Sequence, residues 1–105
     1  MNEQKLIKQF AENIKMEFAV TDMTVYRNSD KLFGRSLDSA AIEQYLSLSC
    51  TTVYKNSGCK LVTRFNVGSD LYIMALFSEK PDTFDGLEAE YIISDIKKLI
   101  GKLGD

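Results

Sequence analysis

A chain of 105 residues, 45% apolar and 27% charged, has the size and balance of one globular domain with a core of its own. Its formal net charge of −2 sets aside the general attraction to nucleic acid or anionic membrane that a basic face provides. It contains no histidine, which removes the usual general base and the commonest neutral metal ligand.

Residues 3 to 17 read as a helix, with Leu6, Phe10 and Ile14 at i, i+4 and Ile7 and Ala11 beside them. Glu3, Glu12 and Glu17 interrupt the first twenty residues, which therefore resemble neither a signal peptide nor a membrane span, and a cytoplasmic location is expected. Phe18 to Thr21 reads as a short strand. Met23 to Arg27 reads as a second one, after a reversal near Asp22. Asn28 to Gly34 reads as a polar loop. Ser36, Asp38 and Ser39 offer N-caps for a helix from about Asp38 to Leu48, with Ala41, Ile42, Tyr45, Leu46 and Leu48 apolar.

Thr51 to Tyr54 is β-branched and aromatic, hence strand-prone, and Asn56-Ser57-Gly58 is a turn. Cys59 to Val67 alternates, placing Cys59, Leu61, Thr63, Phe65 and Val67 on one face and Lys60, Val62, Arg64 and Asn66 on the other. Gly68-Ser69-Asp70 turns the chain into Leu71 to Phe77. Seven consecutive apolar residues there are too few to cross a membrane and predict a strand buried on both faces, at mid-sheet. Pro81 ends the sheet. Asp85 with Glu88 suggests a capping box for a last helix whose apolar positions are Leu87, Tyr91, Ile92, Ile96, Leu99, Ile100 and Leu103. Ala89 and Ile93 widen that face enough to meet a second subunit.

The chemistry-bearing residues read mostly as structural. Cys59 shares its strand face with Leu61 and Phe65, as a small core residue would, and neither it nor Cys50 has a histidine to generate thiolate. Asp22, Asp30 and Asp38 fall in separate turns and lack the dense acids of a calcium loop, so no metal is expected. Ser36 and Ser39 have no activating base. Lys60 and Arg64 share a strand face that reads first as a solvated one whose lysines oppose edge-to-edge pairing; if a ligand or partner is contacted, it is through these residues and Tyr26, with Arg64 offering the planar two-pronged donor. No enzymatic activity and no cofactor are expected.

The expected fold is α+β: one domain over residues 1–105, a five-stranded antiparallel sheet flanked by helices in the order α-β-β-α-β-β-β-α. That order, with Val67-Gly68-Ser69-Asp70 leading into Leu71 to Leu76 and a long closing helix, resembles the roadblock (dynein light-chain roadblock) family and its profilin-like relatives. The resemblance implies one helix on one sheet face and the terminal helices on the other. It also implies a non-enzymatic regulatory or scaffolding role, a homodimer, and protein partners that include small GTPases. Roadblock domains pair through the second helix and third strand, which maps here onto Ile42, Tyr45, Leu46, Val53 and Tyr54; a charge at Tyr45 or Val53 is then expected to give a folded monomer. A second resemblance, through Phe18 to Asp22, Arg27-Asn28-Ser29 and Gly34 to Leu37, is to GAF- or PAS-type sensors. It implies a small-ligand cavity between the sheet and the middle helix, lined by Tyr26, Phe33, Tyr45 and Phe65.

Overall fold

The computed structural model describes residues 2–56 and 58–104. Among them are three α-helices and one antiparallel sheet: α1 (Glu3–Glu17), β1 (Asp22–Arg27), β2 (Asp30–Phe33), α2 (Ser39–Leu46), β3 (Thr52–Tyr54), β4 (Cys59–Val67), β5 (Asp70–Ser78) and α3 (Gly86–Leu103). The strands lie in the order β2-β1-β5-β4-β3, so the apolar run on β5 occupies the centre, as its composition requires.

The period-2 alternation sorts β5 between two layers. Tyr72, Met74 and Leu76 join Met23, Val25, Cys59 and Leu61 under α1 and α3, where Ile7, Ala11, Ile14, Ile92, Ile96 and Leu99 close the larger core. Ile73 and Ala75 face the other way, with Tyr26 and Val62, and α2 covers them through the buried Tyr45 and the half-buried Ala41, Ile42 and Leu46. Cys59 is the buried core residue its register suggests; Cys50 is exposed.

The expected strand Met23 to Arg27 forms, as β1, but the hairpin it belongs to differs from expectation. Phe18 to Thr21 is not a strand: Phe18 caps α1, donating its N–H to the Ile14 carbonyl at 3.0 Å, and Val20 is buried from a loop. The hairpin forms one segment later, inside the expected polar loop. Arg27 pairs with Asp30, and the two residues between them, Asn28 (φ 49°) and Ser29 (φ 73°), are both left-handed. Two such residues make the tight turn that matches strand twist. Asn28 tolerates this position because its amide donates to Asp70 Oδ1 (2.8 Å) and its carbonyl oxygen accepts from Leu71 N–H (2.9 Å), tying this turn to the β4–β5 turn.

Two helix termini also need correction. Asp38 is the N-cap of α2, accepting from Ala41 N–H at 2.8 Å, but the helix ends at Leu46 rather than near Leu48. Asp85 is the N-cap residue of α3 without capping it: its carboxylate pairs with Lys55 Nζ at 2.7 Å instead. That pairing raises the Lys55 pKa, through the hydrogen bond to Asp85 first. Along α3, Ala89, Ile92, Ile96 and Leu99 are buried, whereas Leu87 and Tyr91, expected on the apolar face, point into solvent. The expected turn at 56–58 contains Ser57, which lies outside the described residues.

A polar clasp fastens the start of α1 to the sheet. The Glu3 carboxylate accepts from Arg27 Nη1 and from the hydroxyl of the buried Tyr72, whose ring stacks on Phe65 with centroids 5.1 Å apart. Burial, and then the hydrogen bond to Glu3, pushes the Tyr72 phenol above its usual pKa. The folded protein thus keeps this proton to higher pH than the unfolded chain, so stability falls as pH rises through and beyond the unfolded tyrosine range near about 10. Tyr72→Phe is expected to flatten that alkaline decline, compared with wild type by urea midpoints at successive alkaline pH values. An unchanged slope would remove Tyr72 as its source.

Candidate functional site

The sheet has two edges, and their side chains differ. On β2, Asp30 and Lys31 are exposed, and charges on an edge strand oppose further pairing. β3 carries no charge: its residues are Thr52, Val53 and Tyr54, paired on one side only, with Val62, Leu61 and Lys60 of β4. Val53 is 37% exposed on the α1/α3 side of that edge. Tyr54 lies on the α2 side with its ring 6.1 Å from that of Tyr45, and its hydroxyl accepts from Gln44 Nε2 at 3.3 Å. Thus α2 and Tyr54 of β3 share one face at this edge, while Val53 lies on the opposite face of the same strand. Of the five residues expected there, Val53 is the most open, and Ile42, Leu46 and Tyr54 are half-buried. Tyr45 is only 2% exposed, inside the domain's own second core. Its contribution is to seat α2, and a charge at Tyr45 would unfold the layer before reporting on any pairing.

The three residues expected to make ligand or partner contacts do not converge. Tyr26 is buried, and its hydroxyl accepts the Leu37 N–H at 2.8 Å, holding the loop that enters α2. Arg64 is exposed and donates to the Leu48 carbonyl at 3.2 Å, closing the chain after α2. Lys60 lies between the Tyr45 and Tyr54 rings, its ammonium 5.1 Å from each centroid and donating to the Tyr45 hydroxyl. This cation–aromatic seating is one the strand alternation could not reveal, because both rings arrive from other elements.

The expected sensor cavity is overturned by the sheet itself. Tyr26 and Tyr45 belong to the α2 layer, whereas Phe33 and Phe65 pack against the α1/α3 core on the opposite face. The four rings cannot line one cavity with a sheet between them.

A different cluster does form on the α2 side: Arg35 lies over the Phe77 ring at 4.2 Å from its centroid, and Lys60 is the cross-strand partner of Phe77. Arg35 has no periodic signal and was legible only as part of the Gly34 to Leu37 stretch; the close return of the loop after β2 brings it there. No protein-family model matches this chain, and no curated protein sequence matches it at a significant level.

Proposed function

We propose that this protein is a non-enzymatic, protein-binding regulatory domain of the cytoplasm that pairs with a second copy of itself through α2 and the β3 edge. The observation that supports this reading is the contrast between the edges: β2 carries exposed charges, whereas β3 carries none, presenting Val53 on one side of the sheet and the half-buried Tyr54, next to Ile42 and Leu46 of α2, on the other. An uncharged edge that adjoins a helix face suits a two-fold pairing, in which the same patch meets itself. A three-residue strand contributes few hydrogen bonds, so α2 must supply much of the contact. The paired domains would form a platform for further proteins, and the roadblock resemblance adds small GTPases as the partner class.

Light scattering after gel filtration tests this directly. The wild type is expected at twice the monomer mass of 11.9 kDa at low-micromolar concentration. Val53→Lys is expected at the monomer mass with its melting temperature little changed, since an exposed edge position tolerates substitution to within about 0.5 kcal/mol. A monomeric wild type, or a Val53→Lys protein that stays paired, would remove the proposed surface.

A further inference from the structure

The second sheet face is only partly covered. The eight residues of α2 rise about 12 Å, whereas the nine-residue strands β4 and β5 beneath it run about 30 Å. Beyond the helix, toward the end of β5, the surface holds a depression of about 270 Å³. Its lining includes Thr21, Arg35, Lys60, Phe77 and Glu79. Phe77 and Lys60 face each other across β5 and β4, and Arg35 reaches in from the loop ahead of α2.

Arg35 is held there by more than its own side chain. The buried Thr24 hydroxyl donates to the Arg35 carbonyl at 3.0 Å, and the Leu37 N–H donates to Tyr26 at 2.8 Å, so the loop is pinned on both sides of Ser36. The guanidinium donates through Nε to Asp22 Oδ2 at 2.8 Å, with Nη2 paired to the same oxygen at 2.8 Å, while Asp22 Oδ1 accepts the Met23 N–H at 2.9 Å. Both oxygens of Asp22 are therefore engaged, and its charge is offset by the residue it orients. Among the described residues Arg35 Nη1 has no acceptor. Lys60 donates one of its three N–H groups to Tyr45. Two cations, each pre-positioned by neighbours, thus line one depression with donors to spare.

We propose that this depression binds a small oxyanion, a carboxylate or a phosphate, between Arg35 and Lys60. Arg35 supplies planar donors, fixed in orientation by Asp22, and Lys60 supplies a point charge whose ammonium is held 5.1 Å from the Tyr45 and Tyr54 ring centroids. Glu79, exposed at the rim, opposes a simple anion and makes the site weak for one. Lys60 is seated partly by Tyr54 of the proposed pairing edge, but Arg35, Phe77 and Glu79 lie outside that edge, so the anion site is tested separately from pairing.

The test is an amide NMR titration of the full chain with sodium phosphate and, separately, sodium acetate, at fixed pH and ionic strength. Saturable shifts confined to the neighbourhood of Arg35, Lys60, Phe77 and Glu79 are expected for at least one anion, and the tighter of the two identifies the headgroup. Arg35→Gln and Lys60→Gln, each with a native-like spectrum, should weaken binding about fivefold or more, and Glu79→Gln should tighten it about twofold to threefold, as expected for single charges in a half-exposed site. That opposite sign separates the site from general attraction to lysines. Shifts that rise without saturating for both anions, that spread equally to Lys97, Lys98 and Lys102, or that survive both cation substitutions would overturn the proposal. If one cation variant fails to fold, the other and Glu79→Gln decide.

Discussion

Gly34→Ala is expected to lower stability by about 3 kcal/mol or more, among the largest effects available to one methyl group. Gly34 has φ +85°, a conformation that side-chain-bearing residues rarely adopt, and a Cβ there would lie 2.0 Å from the Met23 carbonyl oxygen. Met23 C and Thr24 Cα would both be 2.9 Å away. These obstacles are backbone atoms of β1, which is hydrogen-bonded to β2 and β5, so no rotamer change relieves the clash. The loop must instead lift, drawing Arg35 from Asp22 and Leu37 from Tyr26. Gly68→Ala is the control: φ is +60°, but nothing lies within 4 Å of its Cβ, so only the backbone cost of about 1 kcal/mol is expected. Urea unfolding of both variants measures the difference, with the midpoint falling at nearly constant slope. A Gly34→Ala loss no larger than that of Gly68→Ala would mean that residues 34–37 are not held against β1.

Leu76→Ala should cost about 2–5 kcal/mol, while Leu87→Ala should stay within about 0.5 kcal/mol of wild type. Leu76 is fully buried on the central strand, between its cross-strand partners Met23 and Leu61 and beneath the α1/α3 layer. Truncation there removes contacts on several sides at once, and a hydrogen-bonded sheet cannot collapse to fill the void. Leu87 is 62% exposed in the first turn of α3 and loses little to truncation. The pair is a direct check of the layering, read from thermal or urea unfolding of the two variants. Similar losses at both positions would place the start of α3 against something apolar and contradict its exposure.

The two leucines also show where sequence reading stops. Both sit in plausible apolar patterns: Leu76 in a continuous run, Leu87 opening a helical stripe. A run of seven apolar residues has one explanation, a strand covered on both sides, whereas a wide helical stripe has several. The width of α3 was legible in its sequence. Which part of that width turns inward was not, because it depends on how α3 packs against both α1 and β4, elements distant from it in sequence. The early hairpin failed for a local reason. Asn-Ser is a weaker turn signal than Asn-Gly, and Asn28 adopts its left-handed conformation with help from Asp70 and Leu71, more than 40 residues away.

The sequence by itself determined the order of elements, the α+β class, the central place of β5, the facing of β4 and the burial of Cys59. All of these follow from local periodicity, which a backbone of period 2 or 3.6 converts directly into sidedness. Only the tertiary structure decided what the polar residues do. Lys60, Arg64 and Tyr26 have no periodic signature for their partners. Lys60 is seated by rings from α2 and β3, Tyr26 by a loop amide, and Arg35 reaches Phe77 because Gly34 lets the chain pass against β1. Charged and hydrogen-bonding groups are satisfied by whichever donor or acceptor the fold delivers within about 3 Å, and that depends on contacts distant in sequence.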